Sequence, residues 1–192
     1  STKQVHSDRI YSLTAPINSN REVENVDALI TDQPGVGLMI QQADCQAVLL
    51  FDPVNSIIAA VHCGWRGNVS NIIGKVVHRM VSYFGTGPGE LLGVISPSLG
   101  PCCAEFVNYK DELPEEFRLF MVSENHFDFW QISKYQLINA GLTEANITVA
   151  GDCTCCSRDY FSYRRSNRIS TGVTGRNCSV IIMEQENQQT VL

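Results

Sequence analysis

Two apolar runs that are separated by a short turn-forming segment constrain the fold of this chain most strongly. The runs are "QAVLLF" at residues 46–51 and "SIIAAV" at residues 56–61, and "DPVN" lies between them. Neither run alternates between polar and apolar residues, which is typical of strands that are covered on both faces. The sequence therefore predicts a central hairpin in a sheet that carries further elements on both sides.

The remainder of the chain predicts both strands and helices around this hairpin. Short apolar runs that are rich in β-branched residues predict further strands over residues 4–13, 27–30, 37–40, 91–96, 146–150 and 179–183. Apolar residues at helical spacing predict helices over residues 69–84, 114–121 and 130–140, with Gly85 and Gly141 as the stops. We expect one α/β (α+β) layered domain over residues 1–192, a sandwich with a mixed sheet.

Charge and composition narrow the class of function. The formal net charge is -6 and the sequence pI is about 5.1, which argues against a nucleic-acid partner bound through a basic surface. The chain has no apolar run of roughly 18 residues and no signal-peptide pattern, so we expect no membrane span. Its eight cysteines are then expected to be reduced thiols in the cytoplasm. These features favour small-molecule chemistry.

Cys45 and His62 flank the central hairpin. If Pro53 and Val54 form a two-residue turn, antiparallel pairing places Cys45 directly opposite His62, with Cβ atoms about 4.5 to 5.5 Å apart. Three interpretations stay open: a buried core pair, a nucleophilic cysteine activated by a histidine, or a metal site that needs one more ligand. His6 in "QVHSDRI" can supply that ligand, because two histidines and one cysteine with an open position can form a catalytic zinc site.

Several segments resemble one known family, and they occur in the same order. The segments are "QVHS", "QADCQAVLLFDP", "AAVHCGWRGNV", "SPSLGPCCAEF", "HFDFWQISKYQLINAGL", "GDCTCCSRDYFSYRR" and "TGRNCSVI". The chain resembles the YfiH-like family, which is also called the laccase-domain or multicopper polyphenol oxidoreductase family. The resemblance runs from Gln4 to Ile182, and it implies a layered α/β fold that is similar to bacterial-toxin cysteine deamidases.

The resemblance also implies a site and an activity. It implies a zinc ion held by His6, Cys45 and His62, and a purine nucleoside phosphorylase that converts adenosine, inosine or guanosine and phosphate to free base and ribose 1-phosphate. Adenosine deaminase activity accompanies it. The alternatives are a copper-dependent polyphenol oxidase, a cysteine-type hydrolase and a nucleoside-binding module; four histidines are few for a multicopper centre. The family also has an arginine-bearing segment before "QVHS", so we expect an N-terminal segment to be lacking here.

Basic and thiol side chains complete the set of candidates. Arg66 in "GWRG" and the pair Arg164 and Arg165 in "FSYRR" are candidates for binding phosphate, because a guanidinium offers it a bidentate fork. Asp44 is either a proton carrier or an orienting residue, and strand alternation favours the second role. "CTCC" at residues 153–156 lacks zinc-knuckle spacing with a second pair, so we expect buried thiols there and leave "CC" at residues 102–103 out of the metal site.

Overall fold

The computed structural model describes residues 1–169 and 172–184, and a six-stranded mixed sheet lies at its centre. The strands are β1 (Thr2–Lys3), β2 (Ile10–Leu13), β3 (Val23–Glu24), β4 (Ala28–Thr31), β5 (Gly37–Gln42), β6 (Gln46–Asp52), β7 (Ile57–Cys63), β8 (Leu92–Ile95), β9 (Met121–Ser123), β10 (His126–Phe127), β11 (Ile147–Val149) and β12 (Asn177–Ile182). The α-helices are α1 (Trp65–Val69), α2 (Ile72–Phe84), α3 (Tyr109–Glu112), α4 (Phe129–Asn139) and α5 (Tyr163–Ile169).

The central sheet has the strand order β11-β8-β6-β7-β4-β2, with β6 and β7 antiparallel in the middle. Every residue of β7 is buried, which confirms that the two apolar runs form the centre of the sheet. Alternate side chains of these strands point to opposite faces. One face packs on α2 and α4, and the other packs on the two-stranded pair β5 and β12. The observed architecture is the layered α/β arrangement that the sequence predicts.

The predicted register of the central hairpin is wrong by two residues. Asp52 pairs with Ile57, so a four-residue connection joins β6 to β7, and Ala47 rather than Cys45 lies opposite His62. The carboxylate of Asp52 stabilises the longer turn, because it accepts hydrogen bonds from two of the turn's backbone N–H groups at 2.9 and 3.0 Å. A shift of two residues preserves the facing of each side chain, so Cys45 and His62 stay on one face.

Three predicted elements differ in the structure. The strand over residues 4–13 is interrupted, and only its last four residues, β2, pair in the central sheet. The helix over residues 69–84 begins at Ile72, because Asn71 adopts a left-handed conformation with φ of 53° and its side chain accepts the N–H of Gly74. Residues 115–120 form a 3-10 helix instead of an α-helix. Gly85 ends α2 with φ of 70°, as predicted.

Helix α5 was not predicted from the sequence. It follows the polar segment "TCCSRDYFS", and Asp44 caps its first turn from a distant part of the chain. No helix in the part of the chain that the structure describes is both long enough and apolar enough to cross a membrane.

Candidate functional site

The side chains of His6, Cys45 and His62 converge at one end of the two middle strands, β6 and β7. Each offers one possible metal-ligating atom, and the three atoms lie within 4.8 Å of one another. The Sγ atom of Cys45 is 3.8 Å from Nε2 of His6. The two imidazole rings lie nearly perpendicular, with their centroids 4.8 Å apart. The structure therefore brings together the three residues that the sequence analysis selected as ligands.

Three different elements deliver these side chains. His62 is buried in β7, Cys45 immediately precedes β6, and His6 lies in the loop between β1 and β2 with φ of 59°. Gly64 leaves room for the convergence. A Cβ atom at this position would lie 3.0 Å from Sγ of Cys45 and 3.2 Å from Cδ2 of His6. Any larger residue at position 64 would therefore crowd Cys45 and His6.

Asp27 is hydrogen-bonded to both histidines of the site. Its buried carboxylate lies 2.8 Å from Nδ1 of His62 and also accepts the backbone N–H groups of His6 at 2.9 Å and of Ser7 at 2.7 Å. A proton on Nδ1 of His62 donates to this carboxylate, so the lone pair of Nε2 is available to a metal or a proton. One carboxylate thus fixes the orientation of one histidine and the backbone position of the other.

The charges of the site favour a thiolate. Burial raises the pKa of the Cys45 thiol, but contacts with His6 and His62 outweigh this effect and lower the pKa to about 6. Burial lowers the pKa of His62, whereas the hydrogen bonds to Asp27 and Cys45 raise it to about 9. Burial also opposes ionisation of Asp27, but its hydrogen bonds hold the pKa well below the ordinary value of 3.8. A thiolate is the form of cysteine that binds metals and acts as a nucleophile.

A cavity of about 330 Å³ opens beside His6 and Cys45. Aromatic side chains of Trp65, Phe106 and Tyr163 line it, together with the charged groups of Arg66 and Arg164. An apolar wall with a few polar groups is typical of small-molecule sites. A second cavity, of about 440 Å³, reaches His6, Cys45 and His62 from the side of β1.

The predicted phosphate-binding arginines occupy different environments. Arg66 is exposed at the cavity, and its guanidinium stacks on the ring of Trp65 at 4.1 Å from the centroid. Arg164 also lines the cavity, where its guanidinium donates to the carbonyl groups of Cys103 at 3.0 Å and Glu105 at 3.2 Å. Two of the three predicted arginines therefore border the cavity beside His6 and Cys45.

Arg165 points to the other side of α5. Its guanidinium donates to the carbonyl groups of Thr154 at 2.6 Å, Cys155 at 3.0 Å and Ser157 at 2.6 Å, and it also contacts the carbonyl of Tyr160. It is not one of the residues that line the 330 Å³ cavity. These bonds fasten the segment before α5 to the helix, so the contacts of Arg165 favour a structural role.

Asp44, next to Cys45 in the chain, connects this residue to the wall of the cavity. It adopts a left-handed conformation with φ of 91°, which is uncommon for a residue other than glycine. One carboxylate oxygen accepts the hydroxyl of Thr154 at 2.7 Å, and the other accepts the backbone N–H of Arg164 at 2.6 Å. Its contacts are those of the orienting role that strand alternation favoured.

Sequence reasoning missed Asp27 and a group of four cysteines. Asp27 is the one charged residue in the apolar run "VDALI". A carboxylate that is buried in a strand needs hydrogen-bond donors around it, so this position could have been recognised as a candidate. The cysteine sulfur atoms also lie within 4.8 Å of one another, in Cys102, Cys103, Cys153 and Cys156. Cys102 and Cys156 are exposed, so the expectation of buried thiols is wrong for Cys156. The Cys-x-x-Cys spacing within "CTCC" was the available signal.

The fold and the site define a class of protein: a layered α/β protein with a small-molecule cavity beside a site of two histidines and one cysteine. The chain belongs to the family described as multi-copper polyphenol oxidoreductase laccase, which matches residues 1–184. The crystal structure of a hypothetical protein YfiH from Bacillus licheniformis has the same fold. Its TM-score is 0.84 at 29% identity, over 95% of this chain and 73% of that one.

Relatives with assigned names add a direction for function. The chain is 33% identical over 176 residues to a purine nucleoside phosphorylase from Bacteroides thetaiotaomicron, which covers 84% of this chain and 65% of that protein. It is 31% identical over 169 residues to adenosine deaminase RL5 from an unknown prokaryotic organism, over 79% of this chain and 63% of that protein. The chain thus spans about two thirds of the length of these relatives.

Proposed function

We propose that this protein is a zinc-dependent purine nucleoside phosphorylase. It cleaves adenosine, inosine and guanosine with phosphate to give the free base and ribose 1-phosphate, and it also deaminates adenosine. The observation that carries the proposal is the convergence of His6, Cys45 and His62 beside a cavity. The names of the relatives, a purine nucleoside phosphorylase and an adenosine deaminase, support the choice of reaction.

The donor set fits a zinc ion. Two imidazole nitrogens and one thiolate, with a fourth position left for substrate, are a ligand set of catalytic zinc, and the carboxylate of Asp27 behind His62 is the usual partner of such a histidine. His6, Cys45 and His62 would hold the ion, which supplies Lewis acidity toward an oxygen of the substrate when it is bound. The hydrogen bond from Nδ1 of His62 to Asp27 leaves Nε2 as the atom that can bind the ion.

A multicopper centre fits the same residues less well, because such a centre needs many histidines. The chain has four. His78 lies in a separate surface groove with Asp8, and Nδ1 of His126 lies 2.8 Å from the carbonyl of Glu124. Only two histidines therefore reach the site, which favours zinc over a group of coppers.

The cavity wall suits a nucleoside. A purine ring can stack on the aromatic side chains of Trp65, Phe106 or Tyr163, whose faces favour flat partners. A volume of about 330 Å³ lies at the lower end of small-molecule pockets, which run from roughly 300 to 1,000 Å³. Arg66 and Arg164 lie at the same cavity, and their guanidinium groups can hold phosphate and offset its charge.

In the reaction, a phosphate oxygen forms a bond to C1′ of the ribose while the bond from C1′ to N9 of the purine breaks. The bonding electrons leave with the purine, which takes up a proton. The chain's contribution is positioning: the arginines hold the attacking phosphate, the aromatic wall holds the base, and Asp44 fixes the first turn of α5 that carries Arg164. The site thereby converts an encounter of two solutes into a reaction of held groups.

Chromatography of inosine incubated with zinc-loaded protein, with and without phosphate, tests the proposal. We expect hypoxanthine that depends on phosphate and is lost in His62→Ala and Cys45→Ser. His78→Ala is the matched control, because His78 lies outside the site, and it should retain activity. A zinc-loaded wild type that releases no base would contradict the proposal.

One observation favours a second candidate, a cysteine-type hydrolase. In space, His62 lies between Cys45 and Asp27, so the three can act as a base, a nucleophile and an orienting carboxylate, respectively. The pKa of Cys45 is also lowered to about 6. In this function His6, whose Nε2 lies 3.8 Å from Sγ of Cys45, would stabilise the thiolate instead of binding a metal. It predicts amide cleavage that survives chelation and stops on alkylation of Cys45, whereas the phosphorylase predicts loss of activity on chelation.

A further inference from the structure

Four cysteines form a second group of possible metal ligands on the far side of the cavity wall. The four-cysteine cluster consists of Cys102, Cys103, Cys153 and Cys156. Its sulfur atoms all lie within 4.8 Å of one another, and Sγ of Cys156 is 3.5 Å from the sulfur atoms of both Cys102 and Cys103. With Zn–S bonds of about 2.3 Å, the sulfur atoms of a tetrahedral site lie about 3.8 Å apart. Four thiols therefore already stand near the spacing of a zinc site.

The backbone holds the two halves of the cluster together. Ser98 and Cys153 form a parallel bridge, and the N–H of Thr154 donates to the carbonyl of Ser98 at 2.9 Å. Gly100 permits this contact, because a Cβ atom there would lie 2.8 Å from the ring of Trp130 and 2.9 Å from Cβ of Cys153. The sulfur positions thus follow from the fold of the two segments.

The cluster lies among ordered polar contacts. The backbone N–H of Gly100 donates to Sγ of Cys153 at 3.3 Å. The guanidinium of Arg165 is held beside the cluster by the carbonyl groups of Thr154 and Cys155. Hydrogen bonds to ligand atoms are a common feature of metal sites. Burial and the neighbouring thiols raise the pKa of the Cys102 thiol to about 11, so zinc binding has to displace its proton.

We propose that the four-cysteine cluster binds one Zn²⁺ through four thiolates as a structural site, separate from the site at Cys45. Binding releases the protons of those thiols that are still protonated, with no change of oxidation state. All-sulfur ligation favours Zn²⁺ over hard cations such as Mg²⁺. The four thiolates would occupy all four coordination positions of the ion, which is the arrangement of structural rather than catalytic zinc.

The site would fix the wall of the cavity. It would tie the loop after β8 to the segment before α5. The carbonyl of Cys103, in the loop, accepts the guanidinium of Arg164, and the carbonyl of Cys155, in the segment before α5, accepts that of Arg165. Loss of the ion is therefore expected to loosen α5 and to lower the unfolding temperature, without removing any of the ligands His6, Cys45 and His62.

Zinc content of the full chain in the Cys45→Ser background tests this site by itself. Protein is purified under reducing conditions, given Zn²⁺ and freed of excess, and its zinc is counted by mass spectrometry. We expect one equivalent to remain in Cys45→Ser and to be lost when Cys156→Ser is added. Cys178→Ser is the matched control, because Cys178 is exposed on β12 outside the cluster, and it should retain the ion.

X-ray absorption at the zinc edge of Cys45→Ser supplies a readout that needs no change to the cluster. We expect a shell of sulfur atoms alone at about 2.3 Å. A shell containing nitrogen, no bound zinc, or zinc content that is unaffected by Cys156→Ser would each overturn the proposal. So would an intact mass that is lower by two hydrogens until reductant is added, because it shows a disulfide in place of a metal site. Activity is not part of this test, so its outcome is separable from that of the proposed phosphorylase.

Discussion

Replacement of Asp27 by asparagine is the perturbation whose result follows most directly from the structure. The carboxylate accepts five hydrogen bonds, two at Oδ1 and three at Oδ2. An amide has one accepting oxygen, so either orientation of the asparagine turns an NH₂ group toward at least two former donors. One orientation also reverses the bond to His62, because the NH₂ group donates to Nδ1 and moves the ring proton to Nε2.

The size of the effect follows from these bonds. Hydrogen bonds to a charged group contribute about 1.5 to 3 kcal/mol each, so losing two lowers the free energy of unfolding by about 3 kcal/mol or more. For a domain of this size, a loss of 3 kcal/mol lowers the midpoint of thermal unfolding by about 6 to 12 °C. Loss of the partner of a ligating histidine lowers zinc affinity by about 10- to 100-fold. Calorimetry and a competition titration with a zinc-binding dye measure these quantities.

Asp8→Asn is the control for this prediction. Asp8 lies in the same loop but is partly exposed and pairs with Lys75, so its replacement should change stability by less than about 0.5 kcal/mol. Wild-type stability and zinc affinity in Asp27→Asn would refute the role given to the carboxylate.

The difference in unfolding free energy between wild type and Asp27→Asn should depend on pH. Folding depresses the pKa of Asp27 below its ordinary value of 3.8, so the carboxylate's contribution to stability is fully present above that value. It is lost as the pH falls through the folded pKa. The difference in unfolding free energy between wild type and Asp27→Asn should therefore narrow below pH 3.8, and a constant difference would contradict the assignment.

Further predictions concern the ligands and the phosphate. Gly64→Ala should reduce zinc binding without removing a ligand, because its methyl group would lie 3.0 Å from Sγ of Cys45; Gly89→Ala, with open space around it, should not. In chelator-treated protein, alkylation of Cys45 followed by peptide mass spectrometry should rise with pH to a plateau with a midpoint near 6, the value of its lowered pKa; a midpoint near 9 would contradict the contacts with the histidines. Arg66→Ala should raise the KM for phosphate about tenfold or more, because a charged hydrogen bond is lost, and should change kcat less; an unchanged KM would remove Arg66 from the phosphate site.

The centre of the fold and the residues that converge there, His6, Cys45 and His62, were predictable from the sequence. The unbroken apolar runs on either side of "DPVN" identify strands that are buried on both faces, and β7 is buried throughout. Cys45 and His62 end up on one face even though the predicted register was wrong, because the error was an even number of residues. The alternation of side chains along a strand therefore determines the face that each one occupies. The length of the turn depends on the hydrogen bonds of the Asp52 side chain.

The parts that were not predictable depend on contacts between distant segments. Asp27 reaches the loop of His6 and the strand of His62, and no local pattern records either contact. Helix α5 has no strong apolar periodicity and is capped by Asp44, which lies 120 residues earlier in the chain. The four-cysteine cluster joins two distant segments that meet through the parallel bridge from Ser98 to Cys153 and the hydrogen bonds around it. Tertiary hydrogen bonds, rather than propensity, decide these features.

The sugar product of the reaction with inosine tests the central proposal most directly. Zinc-loaded protein is incubated with inosine and phosphate, and the products are separated and identified by mass spectrometry. The phosphorylase account predicts ribose 1-phosphate and hypoxanthine in equal amounts, and loss of both when zinc is removed by chelation or when His62 is replaced by alanine. Free ribose in place of ribose 1-phosphate, or no hypoxanthine from zinc-loaded wild-type protein, would contradict it.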